Sequence, residues 1–245
     1  MAHSQISRLP LSAIKQWQKA FESGAINHAL VQNLSGLKAW LVQGGDIHAR
    51  GPGGETLLHV LSRLGSDPGV ELLLSSGARA RMIDDQGKTP LHHLVYLSQS
   101  SIQALLLAGA SPESLDHKQH SPLMIWMEEY KAALDPSWRV HEQEEGSSSQ
   151  HHWTQIAELL LKHTRQIDHA GSLGQTLLHH MAEHGVWELL PQVLEKGGSL
   201  GLWNAQSQVP RDVLLAHHPE LIQAWDGMVK RHRRRMSQKN KVLSA

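Results

Sequence analysis

The sequence predicts an all-α fold, a solenoid of about five to six helix–turn–helix repeats joined by short hairpin tips. Three observations predict it. First, an opening motif recurs in one register: Thr56-Leu57-Leu58-His59, Thr89-Pro90-Leu91-His92, Ser121-Pro122-Leu123-Met124, Thr176-Leu177-Leu178-His179 and Val209-Pro210-Arg211-Asp212, spaced by 33, 32, 55 and 33 residues. Second, a leucine triplet follows three of these openings. Leu72-Leu73-Leu74 and Leu105-Leu106-Leu107 come 16 residues after theirs, and Leu159-Leu160-Leu161 comes 22 residues later than that rule, so the 55-residue spacing is a 33-residue unit with an insertion between its two helices. Third, Gly77 and Gly109 end the helices carrying the first two triplets, and a polar extended segment then leads to the next opening.

Taken in order, residues 1–22 are expected to form an N-terminal capping helix over Leu11–Phe21, since Ile14, Trp17 and Phe21 recur at spacings of three and four. Residues 23–229 form the repeat domain. Ile26–Leu34 and Leu37–Gln43 make a first repeat without the opening motif, because Ala39-Trp40-Leu41 and Gly44 stand one period before Leu72–Leu74 and Gly77. Asp46–Gly54 is a tip rich in glycine and proline. The second repeat, Thr56–Gln86, has its helices separated by Gly65-Ser66-Asp67-Pro68-Gly69. In the third, the Thr89 hydroxyl caps free amides, and Pro90 at the first helical position gives up only an amide that would be unpaired anyway. Leu91, Leu94 and Val95 continue that helix, Ser98-Gln99-Ser100 breaks it, and Ile102–Leu107 is its partner.

The fourth repeat opens with a helix from Leu123 to about Leu134 and stops at Asp135-Pro136. The insertion, about residues 135–152, holds Glu142, Glu144 and Glu145 and then Gly146-Ser147-Ser148-Ser149, which predicts a polar surface loop, partly disordered. Such a loop is either a tolerated addition at a repeat turn or a partner-binding lid. Ile156–Lys162 closes this repeat, and the fifth, Thr176–Ser207, has helices at Leu177–His184 and Trp187–Glu195. The last repeat carries Arg211, Asp212, His217 and His218 and a helix over Leu221–Val229, as a capping unit with one solvated face would. Trp40, Trp126, Trp187 and Trp225 fall in helices and are expected in the core, whereas Trp203 falls on a tip.

The segments GETLLHVL, GKTPLHHL and GQTLLHHM, the leucine triplet followed by glycine, and GGDIHARGPGG as a hairpin tip together resemble the ankyrin repeat family over roughly Ser23–Gly227. One departure is visible. The family favours small residues late in the first helix, where neighbouring repeats approach. Here those positions hold Leu61, Leu94, Trp126, Met181 and Leu214, so less regular spacing is expected. The resemblance implies a non-enzymatic module that binds a protein partner through its concave face and hairpin tips. Mapped by register, the contacts it implies lie just before each opening, at Glu55, Asp85, Gln86, Lys88, His117, Lys118, His120 and Gln175, and at the end of each first helix, at Arg63, Tyr96, Glu128, Glu129, Glu183 and His184. Tyr96 is the strongest single anchor among them, being aromatic and amphipathic.

Composition narrows the classes. No run of 18 apolar residues is present, and the N-terminus lacks a basic start followed by an apolar core, so neither a transmembrane helix nor a secretory signal is expected. The absence of cysteine removes disulfides and thiolate chemistry and suits the cytoplasm, although nuclear and secreted-effector locations fit the same residues. A monomer is expected. The net charge of zero hides an asymmetry: residues 230–245 hold seven of the 23 Lys and Arg and no acid. That basic tail is a solvated terminus on one reading and a nucleic-acid or anionic-surface patch on the other.

Chemistry-bearing patterns are few. The 19 histidines include His180-Met181-Ala182-Glu183-His184, in which His180 and His184 share a helical face as zinc ligands must and Glu183 would serve as base. A zinc-dependent hydrolase is therefore the enzymatic alternative. The register supplies a competing scaffold reading, because His59, His92 and His179 share the fourth position of an opening, and His93 and His180 the next. On that reading no catalytic residue, cofactor or metal is expected. No nucleophile elbow, Walker loop or dinucleotide glycine pattern is present.

Overall fold

The computed structural model describes residues 34–134 and 146–243, together with Lys19. The capping helix expected at Leu11–Phe21, residues 26–33 of the first repeat and the acidic part of the insertion lie outside the described residues. Within them the fold is all-helical. No strand is present among the described residues, and the single isolated antiparallel bridge joins Arg50 to Thr56 at the base of a tip. No described helix is long and apolar enough to cross a membrane.

The chain divides into two compact units, Met1–His117 and Lys118–Ala245. In the first, helix α1 (Leu34–Val42) packs on α3 (Asp67–Ser75), which also packs on α2 (Leu57–Arg63) and on α4 (Gln99–Leu107). A 3-10 helix, Pro90–Tyr96, packs on both α2 and α4. In the second, α5 (Pro122–Leu134) packs on α6 (Gly146–His163) and on α7 (Leu177–His184). Helix α7 also meets α8 (Leu190–Glu195) and α9 (Pro210–His217), and α10 (Ile222–Leu243) lies against α8 and α9.

The openings nucleate these helices through one repeated device. At Thr56, Thr89 and Thr176 the backbone is extended, and a capping box forms in which the threonine side chain accepts the third helical amide while the histidine at that position returns a bond to the threonine amide. The Thr N–H to His Nδ1 distances are 3.1, 2.9 and 3.2 Å at His59, His92 and His179. Because Nδ1 accepts there, the proton sits on Nε2. That nitrogen then donates across to the following tip, to the Lys88 carbonyl from His59 and to the Gln208 carbonyl from His179, at 3.0 Å in both cases. One imidazole thus closes a cap and ties its repeat to the next. Val209 has no hydroxyl, and Asp212 Oδ2 takes over by accepting from the Val209 amide at 3.1 Å.

The bulky residues at the fifth position after each opening, Leu61, Leu94, Trp126, Met181 and Leu214, are all buried. Each such side chain contributes roughly 1.5–3 kcal/mol relative to exposure in water. Trp40 and Trp225 are buried as well, but Trp187 is half-buried on a turn. The helix expected from Trp187 begins only at Leu190, after Gly185 ends α7 in the left-handed conformation with φ 67°.

Three further segments differ from expectation. Pro90–Tyr96 is a 3-10 rather than an α-helix, with His93 off helical geometry at φ −96° and ψ 19°. Its seven residues close few i→i−4 bonds, and Leu97 must be extended so that the Ser98 amide reaches Asp67 Oδ1 at 3.0 Å and Ser98 can cap α4. Residues 146–153, expected as loop, form the first turns of α6, so the serine run extends the helix that carries Leu159–Leu161. The basic stretch after Val229 likewise continues α10 to Leu243, and Arg235 pairs with Glu195 of α8. Basic side chains near a helix C-terminus oppose the negative end of its dipole.

Candidate functional site

The tips are built by short polar turns. Asp84 Oδ1 accepts from the amides of Gln86 and Lys88, both at 2.8 Å, and Asn204 Oδ1 does the same for Gln206 and Gln208 at 3.0 and 2.9 Å. Consecutive tips are joined through backbone. Asp85 N–H donates to the Gly53 carbonyl at 2.8 Å and His117 N–H to the Gln86 carbonyl at 2.8 Å, while in the second unit Ala205 N–H donates to Leu173 at 2.7 Å. Side chains before each opening are therefore held on a fixed backbone, which limits the entropy lost when they bind.

On this frame the motif residues and the contact candidates separate cleanly. Thr56, His59, Thr89, His92, Thr176 and His179 are buried. Of the candidates, Arg63, Asp85, Gln86, Tyr96, His117, Lys118 and Glu129 are exposed, and Glu55, Lys88, His120, Glu128, Gln175, Glu183 and His184 are half-buried. Tyr96 is 59% exposed, and the Gly65 backbone turns tightly beneath it: a Cβ on Gly65 would lie 2.6 Å from the Tyr96 carbonyl oxygen. Glu55 and Arg63 satisfy each other through two bonds of 3.2 Å.

Two features were not legible in advance. Leu173, 57% exposed and in the left-handed region at φ 57°, adjoins the tip that carries Trp203, which is 66% exposed. A bulky apolar residue held there costs backbone energy, and with Leu202 it leaves apolar surface on these tips. The sequence signal was the GSLG segment standing where an earlier tip reads GPGG.

The second feature is a cluster. Glu128 on α5 and His180 and His184 on α7 each bring one ligand atom within 4.8 Å of the others. The two imidazoles stack with ring centroids 6.3 Å apart and planes 8° from parallel. Burial, and then the positive charge His184, His120 and His179 would carry, lowers the His180 pKa to about 4. Glu183, the acid expected beside these histidines, is not in the cluster, and its carbonyl accepts from His218 Nε2 at 3.1 Å. Glu128 and Glu183 stand at the same register position of successive openings, and that correspondence was the available signal.

A scaffold of capped helix pairs with buried openings and exposed tip residues defines a helix-pair repeat protein. Residues 26–127 match the family model for ankyrin repeats, in three copies, so this part of the chain carries ankyrin repeats. The Thr176 opening lies beyond that match and makes the same cap and the same inter-repeat bond. A curated relative, tyrosine-protein kinase HTK16 of Hydra vulgaris, is 33% identical over 89 residues, covering 36% of this chain and 11% of the kinase. The chain thus spans about a tenth of the length of that relative, and kinase activity is a property of the other protein. Ankyrin repeats generally mediate protein–protein interaction and are generally non-enzymatic.

Proposed function

We propose that the chain is a non-enzymatic binding module that holds a protein partner on the residues before each opening, on the ends of the first helices and on the hairpin tips. The observation that carries this reading is the division of burial: no candidate contact residue is buried, whereas the Thr and His residues that define the openings are. Tyr96 supports it as an exposed aromatic on a rigid turn, and Trp203 with Leu173 supports a role for the tips. Aromatic anchors of this kind dominate interface energetics.

The test is affinity capture from the source lysate with identification by mass spectrometry, followed by titration of the captured partner against variants. The pair Tyr96→Ala with Lys88→Glu should weaken binding at least tenfold, about 1.4 kcal/mol, with an unchanged far-ultraviolet circular dichroism spectrum. Unchanged affinity in that variant, with loss on deletion of residues 230–245, would transfer the function to the basic helix.

A further inference from the structure

We propose that Glu128, His180 and His184 form a binding site for one zinc ion that ties α5 to α7. Three observations on the second unit carry it. The donor set is two imidazoles and one carboxylate, with one ligand atom from each within 4.8 Å of the others. In a tetrahedral site with bonds of about 2.0–2.1 Å, ligand atoms stand about 3.3–3.4 Å apart, so small side-chain rotations close the cluster around an ion. The two histidines sit at i and i+4 on one face of α7 with their rings stacked, so a turn of each ring about its own bond to Cβ brings both in-plane lone pairs onto one ion.

The third observation is an unmet polar atom. His180 is only 8% exposed, and its Nδ1 is buried with no hydrogen-bond partner. Buried imidazole nitrogens are normally satisfied, and one left over needs an explanation. The repeat register explains His179 fully, since both its ring nitrogens are bonded. It does not explain His180.

The donor types select the ion. Nitrogen and carboxylate donors suit zinc, whereas magnesium and calcium favour all-oxygen shells. Three protein ligands leave a fourth position for water. The role assigned is cross-linking of two helices from successive openings, and it requires no substrate cleft. It also draws Glu128 and His184 out of the partner-contact row, so the site is separable from the proposed interface.

The experiment is calorimetric titration of zinc chloride into the full, untagged, chelator-stripped chain near neutral pH, which needs no partner. Saturation at one tight ion per chain is expected, together with visible absorption of tetrahedral cobalt on cobalt substitution. Glu128→Gln and His184→Gln should each weaken zinc binding at least tenfold and abolish the cobalt signal, with unchanged circular dichroism, while His217→Gln on exposed surface leaves both intact. In the unaltered chain, zinc should protect His184 from carbethoxylation, a readout that stands even where a variant fails to fold. Absence of a one-ion site, equal affinity in both cluster variants, or a stoichiometry carried by other histidines would each overturn the assignment.

Discussion

His93 and His180 occupy the same position of two repeats, one in each unit, and the pair shows how one scaffold is put to different use. Both follow a capping histidine, both are buried, and each keeps a ring nitrogen without a hydrogen-bond partner, Nε2 in His93 and Nδ1 in His180. Their neighbours differ. Four residues on from His93 stands Leu97, buried and extended, whereas four residues on from His180 stands His184. His93 sits in a 3-10 segment whose geometry breaks at that residue, and His180 sits in a regular α-helix that aligns it with His184. The residue four positions on, leucine in one repeat and histidine in the other, thus decides whether the helix can set a second imidazole beside the buried one.

The largest expected effect concerns His93. Burial, reinforced by the charge His59, Lys88, Arg63 and His92 would carry, lowers its pKa to about 4, against an ordinary 6.5. The unfolded chain therefore binds the proton more readily than the folded one between those values. The neutral imidazole's contribution is complete above pH 6.5 and is lost as pH falls toward 4, amounting to about 3 kcal/mol over the window. Urea unfolding of the full chain from pH 7 to pH 4 should show this slope added to that of His180, and His93→Leu should reduce the total by about 3 kcal/mol. A slope identical in the variant would mean that other groups govern acid sensitivity in the first unit.

The device common to both units provides the next test. His59→Ala and His179→Ala each remove a capping-box partner and a 3.0 Å bond to the following tip. Each should lower stability by about 2 kcal/mol, the order expected when buried backbone groups lose their partner. Similar costs would show that the network has the same weight in the two units. A clearly larger cost at one site would mean that its neighbours depend on the cap more heavily.

The smallest effect lies at two glycines with similar backbone. Gly65 has φ 65° and a potential Cβ 2.6 Å from the Tyr96 carbonyl, while Gly185 has φ 67° and a potential Cβ 3.1 Å from the movable His218 ring. Alanine should cost about 1 kcal/mol at Gly185, from left-handed strain alone, and more at Gly65, where backbone must also shift. Chemical denaturation of the two variants checks the order, and equal losses would remove the close approach beneath Tyr96 as a factor.

The openings were legible from sequence because their physics is local. A threonine, a histidine three residues later and a leucine face close a cap within one turn, and a period of 32–33 residues repeats it. The leucine triplets followed from the same register, and Trp126 was expected in the core, where it lies. Tertiary structure decided the rest. Whether Pro90–Tyr96 would be α or 3-10 depended on a bond from Ser98 to Asp67, 31 residues away. Whether Gly146–Ser149 would be loop or helix depended on joining α6, which is anchored by Ile156 and Leu160 in the core. The acid facing His180 and His184 came from Glu128, on a helix that precedes α7 across the insertion, and not from Glu183 beside them. Capping is read within a single turn of chain, but which side chains meet across two helices is set by how the helices pack.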